Sequence, residues 1–198
     1  MTRFRTVLAD PPWAFECWNA KGGHKSASAH YDTQGIDFLA SLPVKDILAD
    51  DACLFVWACW PTLPDAFRLI EAWGFTYKTL GFNWVKCTGA GTARMGLGYW
   101  TRANTEPCLL GTRGKPQRMD KGVEQVIVSG LGEHSEKPEA QYERIERLVE
   151  GPYLELFHRP RNGLFPPRDG WTFVGNETTG NDIREDLRKL AEGELVTA

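Results

Sequence analysis

The sequence has little that would mark it for a membrane, for an oxidising compartment or for a metal site. Among 198 residues there are four histidines and five cysteines, with no C-x-x-C pair. Scattered cysteines of this kind predict reduced, mostly buried thiols and neither a zinc site nor a disulfide framework. No apolar stretch approaches the ~18 residues of a membrane-spanning helix, and the first residues, MTRFRTV, lack the apolar centre of a signal peptide. We therefore expect a cytoplasmic protein with no metal and no membrane partner.

The sequence also has no excess of positive charge, and this limits how a polyanion would be bound. The formal net charge is −3, so a nucleic-acid partner must be met by a local basic patch and not by the whole surface. No G-x-G-x-x-G follows a predicted strand, which argues against a dinucleotide-dependent dehydrogenase. Aromatic residues are abundant instead, with eight tryptophans. They indicate stacking surfaces as well as a core.

Apolar runs alternate with helical patterns along the chain, which predicts an α/β sheet with ligands at the carboxyl ends of its strands. We expect one domain over residues 1–180, with long loops at about 14–34 and 87–104, and a peripheral helix and tail over 181–198. The predicted strands are 4–9, 53–58, 75–86, 107–113, 124–130, 153–157 and 171–177, and the main predicted helices are 62–75, 137–151 and 182–195.

The stretch VLADPPWAF at residues 7–15 carries the strongest local signal for chemistry. Two prolines directly after an apolar strand remove backbone donors and fix φ, and the first also moves Asp10 away from helical dihedrals. The predicted result is a stiff turn with a carboxylate before it and an indole after it. Such a turn suits an aromatic amine, because Asp10 and the Pro11 carbonyl can accept its hydrogens while Trp13 offers a stacking face. The alternative is a purely structural turn with a capping Asp and a core Trp.

Four blocks of sequence extend this signal over most of the chain: LADPPWAF, GLGYWTRANTEPCLLGTRGKPQR, EHSEKPEAQYERIERLV and YLELFHRPRNG followed by WTFVGNE. In this order they resemble the family of the catalytic subunit of the eukaryotic mRNA adenosine methyltransferase, the seventy-kilodalton subunit family, especially its short bacterial and phage-type members. The resemblance covers about residues 4–177. It implies a Rossmann-like methyltransferase sheet with a permuted motif order. S-adenosylmethionine is the implied methyl donor, and the exocyclic N(6) amine of adenine is the implied acceptor.

The resemblance also implies roles for particular residues. Asp10, Pro11, Pro12 and Trp13 match the catalytic tetrad, and Asp10 is expected to face the amino group of the cofactor as well. Lys137 matches a lysine that holds the methionine carboxylate. The other cofactor residues that the resemblance implies are Phe157, Arg159, Arg161, Asn162, Asn176 and Glu177. Without the resemblance, Lys137 and the two arginines would be interpreted as solvated surface residues, and His158 as an ordinary loop residue.

Substrate selection is expected to come from the two long loops, because the chain has no room for a separate recognition domain. Both loops combine basic side chains for phosphates with aromatic side chains for stacking. Together with Trp13, the predicted substrate-binding residues are Lys21, Lys25, Tyr31, Arg94, Tyr99, Trp100 and Arg102. The alternative is ordinary mobile surface.

These features predict an adenine-specific DNA methyltransferase that acts on a flipped or single-stranded base. Two other functions stay open at this stage: the same chemistry on RNA, and a catalytically silent nucleic-acid-binding partner subunit. The oligomeric state is open between monomer and homodimer.

Overall fold

The computed structural model describes residues 3–14, 34–89, 91–96, 98, 100–132, 136–160 and 168–194. In this part of the chain the strands are β1 Phe4–Ala9, β2 Leu48–Trp57, β3 Thr76–Cys87, β4 Thr105–Arg113, β5 Val126–Gly130, β6 Tyr153–Leu156 and β7 Trp171–Val174. The α-helices are α1 Ile36–Ala40, α2 Leu63–Ala72, α3 Ala140–Leu148, α4 Asn176–Thr179 and α5 Ile183–Glu192. Short 3-10 helices at Val44–Ile47 and Trp60–Thr62 precede β2 and α2.

The described strands form one seven-stranded sheet in the order β5-β3-β4-β2-β1-β6-β7. Strand β1 pairs in parallel with β2 and β6, and β6 pairs in parallel with β7. Strand β4 runs antiparallel to both of its neighbours, while β3 and β5 are parallel to each other. As a result, β1, β2, β3, β5, β6 and β7 all end at the edge of the sheet where β4 begins. Residues from many parts of the sequence are therefore collected at this carboxyl edge.

The core lies on both faces of the sheet, as the alternation along β1 requires. Val7 and Ala9 belong to a cluster with residues of α1, α2 and α5, whereas Leu8 belongs to a second cluster that includes Tyr142 and Ile145 of α3. Helices thus cover both faces, and strands buried on both sides read as nearly continuous apolar runs. The predicted α/β architecture is confirmed.

Two elements differ from the sequence prediction. Strand β2 begins at Leu48 and not at residue 53, because Leu48 already pairs with Phe4 at the start of β1. Helix α5, which we expected to be peripheral, contributes Ile183, Leu187 and Leu190 to the core cluster. These residues follow the i, i+4, i+7 spacing of one helical face, so a polar helix can still bury a narrow apolar stripe.

The connection between β3 and β4 continues the two strands as an irregular hairpin. Cys87 forms a bridge with Ala93, and the Gly96 N–H donates to the Ala103 carbonyl at 2.8 Å. Beyond these contacts Trp100 is fully exposed. None of the helices in the described part of the chain has the length and hydrophobicity that a bilayer crossing requires.

Candidate active site

The turn after β1 is held by its own backbone. The Trp13 N–H donates to the Pro11 carbonyl at 2.8 Å, and the Gln34 N–H donates to the Pro12 carbonyl at 2.8 Å. A turn is therefore present where the two prolines predict one, directly after β1. The Pro11 carbonyl, expected to accept from a substrate amine, already accepts one hydrogen bond and has one lone pair left.

Trp13 does not have the surroundings of a stacking platform. Its side chain is buried in the core cluster with 5% of its surface exposed. The indole N–H donates to the Trp57 carbonyl at 2.8 Å. Burial of the ring and an internal bond for its N–H make the indole an anchor for the turn that carries Asp10. Stacking of a base near Trp13 stays a prediction.

A chain of alternating charges runs from this turn across the carboxyl edge. The Lys137 Nζ lies 2.7 Å from Asp10 Oδ2 and 3.5 Å from Glu106 Oε2. Glu106 in turn forms an ion pair with Lys86 at the end of β3. The Lys137 and Glu106 side chains are 10% and 14% exposed, so solvent screens this contact far less than it screens a surface pair. Four residues distant in sequence form one neutral network.

The charges in this network are reinforced by their neighbours. Burial by itself lowers the pKa of Lys137, but Asp10 and Glu106 outweigh it and raise this pKa above its usual value. Burial raises the pKa of Glu106, but the positive charges of Lys137 and Lys86 outweigh burial, so the pKa of this carboxyl lies below its usual value. Burial, together with Glu106 and Asp10, raises the pKa of the Cys59 thiol to about 11. At neutral pH, Lys137 and Glu106 are therefore ionised and Cys59 is a neutral thiol.

Trp57, at the end of β2, connects the DPPW turn to the helix that follows Lys137. Its carbonyl accepts from the Trp13 indole, and its own indole N–H donates to Gln141 Oε1 in α3 at 2.7 Å. The Lys137 Nζ lies 5.7 Å from the centre of the Trp57 ring, within the range of a cation–π contact. The Trp57 ring thus packs against the Lys137 ammonium, while the Trp57 carbonyl binds Trp13 and the indole N–H binds Gln141.

A second group of polar residues lies at the ends of β6 and β7, next to β1 in the sheet. Phe157 takes a φ of 63°, an uncommon conformation for a non-glycine residue that turns the chain sharply after β6. Arg159 Nε then lies 3.8 Å from Glu177 Oε1, and Asn176 Oδ1 accepts from the Glu177 N–H at 3.0 Å. The structure thus brings together Arg159, Asn176 and Glu177, three of the residues to which the resemblance gives a role in binding the cofactor.

A cavity of about 360 Å³ opens beside Lys137, between β5 and the start of α3. Its lining includes Ser129, Glu136, Pro138 and Arg144. The cavity therefore lies next to the charged network, on the side away from the polar residues that follow β6 and β7.

Some of the predicted substrate residues lie on the described part of the β3–β4 connection. Arg94, Trp100 and Arg102 are exposed on the β3–β4 connection, and the Arg94 N–H donates to the Lys86 carbonyl at 2.7 Å. The connection therefore leaves the sheet next to the charged network. The predicted site residues Lys21, Lys25, Tyr31, Tyr99, Arg161 and Asn162 lie outside the described residues.

Glu106, Lys86, Trp57 and Gln141 are residues around Asp10 and Lys137 that the sequence prediction missed. A signal for the first two was present, since each is a charged residue next to a short apolar run: Glu106 precedes PCLL and Lys86 follows WV. Nothing in the sequence indicated that these two strand ends meet.

Comparison with known proteins decides the family. A family model described as MT-A70 matches residues 4–177. The chain belongs to the MT-A70 family. The predicted relationship and the Rossmann-like methyltransferase fold are thereby confirmed.

The relatives come from bacteria and eukaryotes. The chain is 32% identical over 199 residues to the type II methyltransferase M.MunI of Mycoplasma. This alignment covers 91% of the present chain and 80% of M.MunI. The chain is 31% identical to the human N(6)-adenosine-methyltransferase catalytic subunit METTL3, covering 90% of this chain and 29% of METTL3. A similar protein from Drosophila melanogaster, N(6)-adenosine-methyltransferase MT-A70-like protein, is 31% identical over 98% of this chain and 29% of its own length. The chain thus spans most of the bacterial relative and less than a third of these eukaryotic ones.

Proposed function

We propose that this chain transfers a methyl group from S-adenosylmethionine to the exocyclic N(6) amine of adenine in DNA. The observation that carries the proposal is the ion pair of Asp10 and Lys137, 2.7 Å apart at the carboxyl end of the DPPW strand. In this MT-A70 chain the carboxylate of the DPPW turn lies against a largely buried lysine ammonium.

The charges at the carboxyl edge fit the proposed cofactor. Its methionine part carries an ammonium and a carboxylate, which complement the Asp10 carboxylate and the Lys137 ammonium. Its ribose carries two hydroxyls, for which Glu177 can accept and Asn176 can donate or accept. Asp10 and Lys137 follow β1 and β5, whereas Asn176 and Glu177 follow β7, so the ligand would extend along the edge of the sheet.

In the proposed reaction the protein contributes positions and charges and forms no covalent bond to the substrate. The cofactor, when bound, supplies a methyl group on a positively charged sulfur. Asp10 accepts a hydrogen bond from the adenine amine and thereby aims the nitrogen lone pair, while Lys137 and Glu106 keep the Asp10 carboxylate in place. Positioning of this kind supplies a large part of the rate enhancement in such transfers. As the carbon–nitrogen bond forms, the carbon–sulfur bond breaks, and the positively charged methylated amine then gives its proton to water, so Asp10 need not be a strong base.

DNA is the favoured polymer because the chain covers most of a bacterial type II methyltransferase. The exposed Arg94, Trp100 and Arg102 on the β3–β4 connection are suited to phosphates and unstacked bases. RNA is the second candidate, which the similarity to METTL3 favours.

The test is methyl transfer from labelled S-adenosylmethionine to unmethylated DNA and to RNA, followed by digestion to nucleosides. Asp10→Asn removes the charge at constant size, and we expect it to lower the rate by about 100-fold or more. Asp37→Asn is the matched control, since Asp37 is an exposed acid in an ion pair with Arg68 and should leave the rate unchanged. Equal rates for wild type and Asp10→Asn would refute the proposal.

A further inference from the structure

The ends of β6 and β7 approach each other more closely than side chains normally allow. The His158 N–H donates to the Val174 carbonyl at 3.0 Å. A Cβ on Gly175 would lie 2.5 Å from the His158 carbonyl oxygen and 2.9 Å from its nitrogen. Only glycine fits there, so the segment that carries Arg159 and the segment that carries Asn176 and Glu177 are in direct backbone contact.

The His158 side chain adds a second connection between these segments. It is buried, with 4% of its surface exposed, and its ring lies 4.6 Å from the ring of Phe173 between centres. Nδ1 lies 2.7 Å from Thr178 Oγ1, while the Thr178 hydroxyl donates to the His158 carbonyl at 2.9 Å. Sequence reasoning interpreted His158 as an ordinary loop residue, whereas the structure shows it in the packed interior.

The two bonds to Thr178 define the protonation of the imidazole. A threonine hydroxyl has one proton to donate, and here that proton goes to the His158 carbonyl. Nδ1 must therefore carry a proton of its own and donate it to Thr178 Oγ1. The neutral ring in this arrangement is the Nδ1–H form.

Helix α4 is also held from its opposite side. The Thr179 hydroxyl donates to Asp186 Oδ2 at 2.7 Å, and Asn181 Nδ2 donates to Asp186 Oδ1 at 2.9 Å. Asp186 is completely buried in α5. A helix of four residues has too few internal hydrogen bonds to be stable alone, so the bonds of two adjacent threonines, one to His158 and one to Asp186, determine where it lies.

We propose that His158, as the Nδ1–H tautomer, is a positioning residue for the cofactor. Its bond to Thr178 fixes α4 relative to the turn after β6, and so sets Asn176 and Glu177 against Arg159. This inference rests on the proposed function, because these three residues matter together only if they bind the nucleoside end of one ligand. Loss of the bond should raise the Kd of the cofactor by about 10-fold, the equivalent of one buried hydrogen bond. The rate at saturating cofactor should change little, because Asp10 and Lys137 lie elsewhere on the edge.

Two substitutions of His158 separate the tautomers. Asn can place its amide N–H where Nδ1 lies, whereas the longer Gln places its amide at the position of Nε2. We expect His158→Asn to bind S-adenosylhomocysteine, measured by titration calorimetry, within about threefold of wild type, and His158→Gln to bind about 10-fold more weakly. Equal Kd values for wild type and His158→Gln, or an equally large loss in both variants, would overturn the proposal.

A second pair of variants tests the same bond if the histidine variants do not fold. Thr178→Ser keeps the hydroxyl and should retain affinity, whereas Thr178→Val removes it and should lose about 10-fold. The tautomer itself is read from the imidazole ¹⁵N shifts of the ligand-free protein, where a protonated Nε2 beside an unprotonated Nδ1 in His158 would contradict the inference. Failure of wild type to bind S-adenosylhomocysteine and to transfer methyl groups would instead refute the proposed function.

Discussion

Replacing Glu106 by Gln should lower the free energy of unfolding much more than replacing a surface acid does. Glu106 is 14% exposed and lies between Lys137, at 3.5 Å, and Lys86. Its interaction with Lys137 alone is about 5 kcal/mol at an effective dielectric constant of about 20. Breaking buried pairs by removing one partner costs about 3–5 kcal/mol. We expect a loss of this size in the free energy of unfolding, which corresponds to a fall in Tm of about 10 °C for a chain of this length.

The assay is urea unfolding followed by circular dichroism, with Asp37→Asn as control. The Asp37–Arg68 pair has side chains 86% and 57% exposed, so its loss should cost less than about 1 kcal/mol. Glu106→Gln combined with Lys86→Met restores neutrality and should be less destabilising than Glu106→Gln alone. A loss below about 1 kcal/mol for Glu106→Gln would refute the account of a buried charge network.

Three further predictions concern Cys59, Trp13 and the pH dependence of the Glu106 contribution. Burial and nearby acids raise the pKa of Cys59 to about 11, so its alkylation by iodoacetamide at pH 8 should be about 100-fold slower than that of an unperturbed thiol. The rate is measured by peptide mass spectrometry, and a rate similar to that of an unperturbed thiol would contradict the burial of Cys59. Trp13→Phe removes the indole N–H that donates to the Trp57 carbonyl and should lower the free energy of unfolding by about 2 kcal/mol, measured by urea unfolding; an unchanged free energy would contradict the role of the indole as an anchor. The contribution of Glu106 to stability should be fully present above its ordinary pKa of 4.5 and lost as pH falls through the lower folded-state value. In acid unfolding, the difference in the free energy of unfolding between wild type and Glu106→Gln should therefore become smaller as the pH falls.

The sequence predicted the elements whose signals are local. Residues 4–9 and the two prolines after them define β1 and its turn, and the apolar spacing of Tyr142 and Ile145 defines the buried face of α3. The end of β1 also placed Asp10 correctly at the carboxyl edge. Lys137 was identified from motif resemblance, and the structure brings it to Asp10 across 127 residues of sequence.

What the sequence could not predict depends on which strands become neighbours. Glu106 meets Lys86 and Lys137 because β4 begins where β3 and β5 end, and this follows from the sheet order. The orientation of Trp13 is likewise tertiary, since its indole turns inward to the Trp57 carbonyl. His158 was misread for the same reason: its partner Thr178 follows a different strand.

The central claim is that this edge of the sheet methylates adenine in DNA. It is tested most directly by methyl transfer from labelled S-adenosylmethionine to unmethylated DNA, with digestion to nucleosides, for wild type and Asp10→Asn side by side. The account predicts labelled N(6)-methyladenine with wild type and a loss of about 100-fold or more with Asp10→Asn. Label in another nucleoside, label in RNA alone, or equal label from both proteins would contradict it.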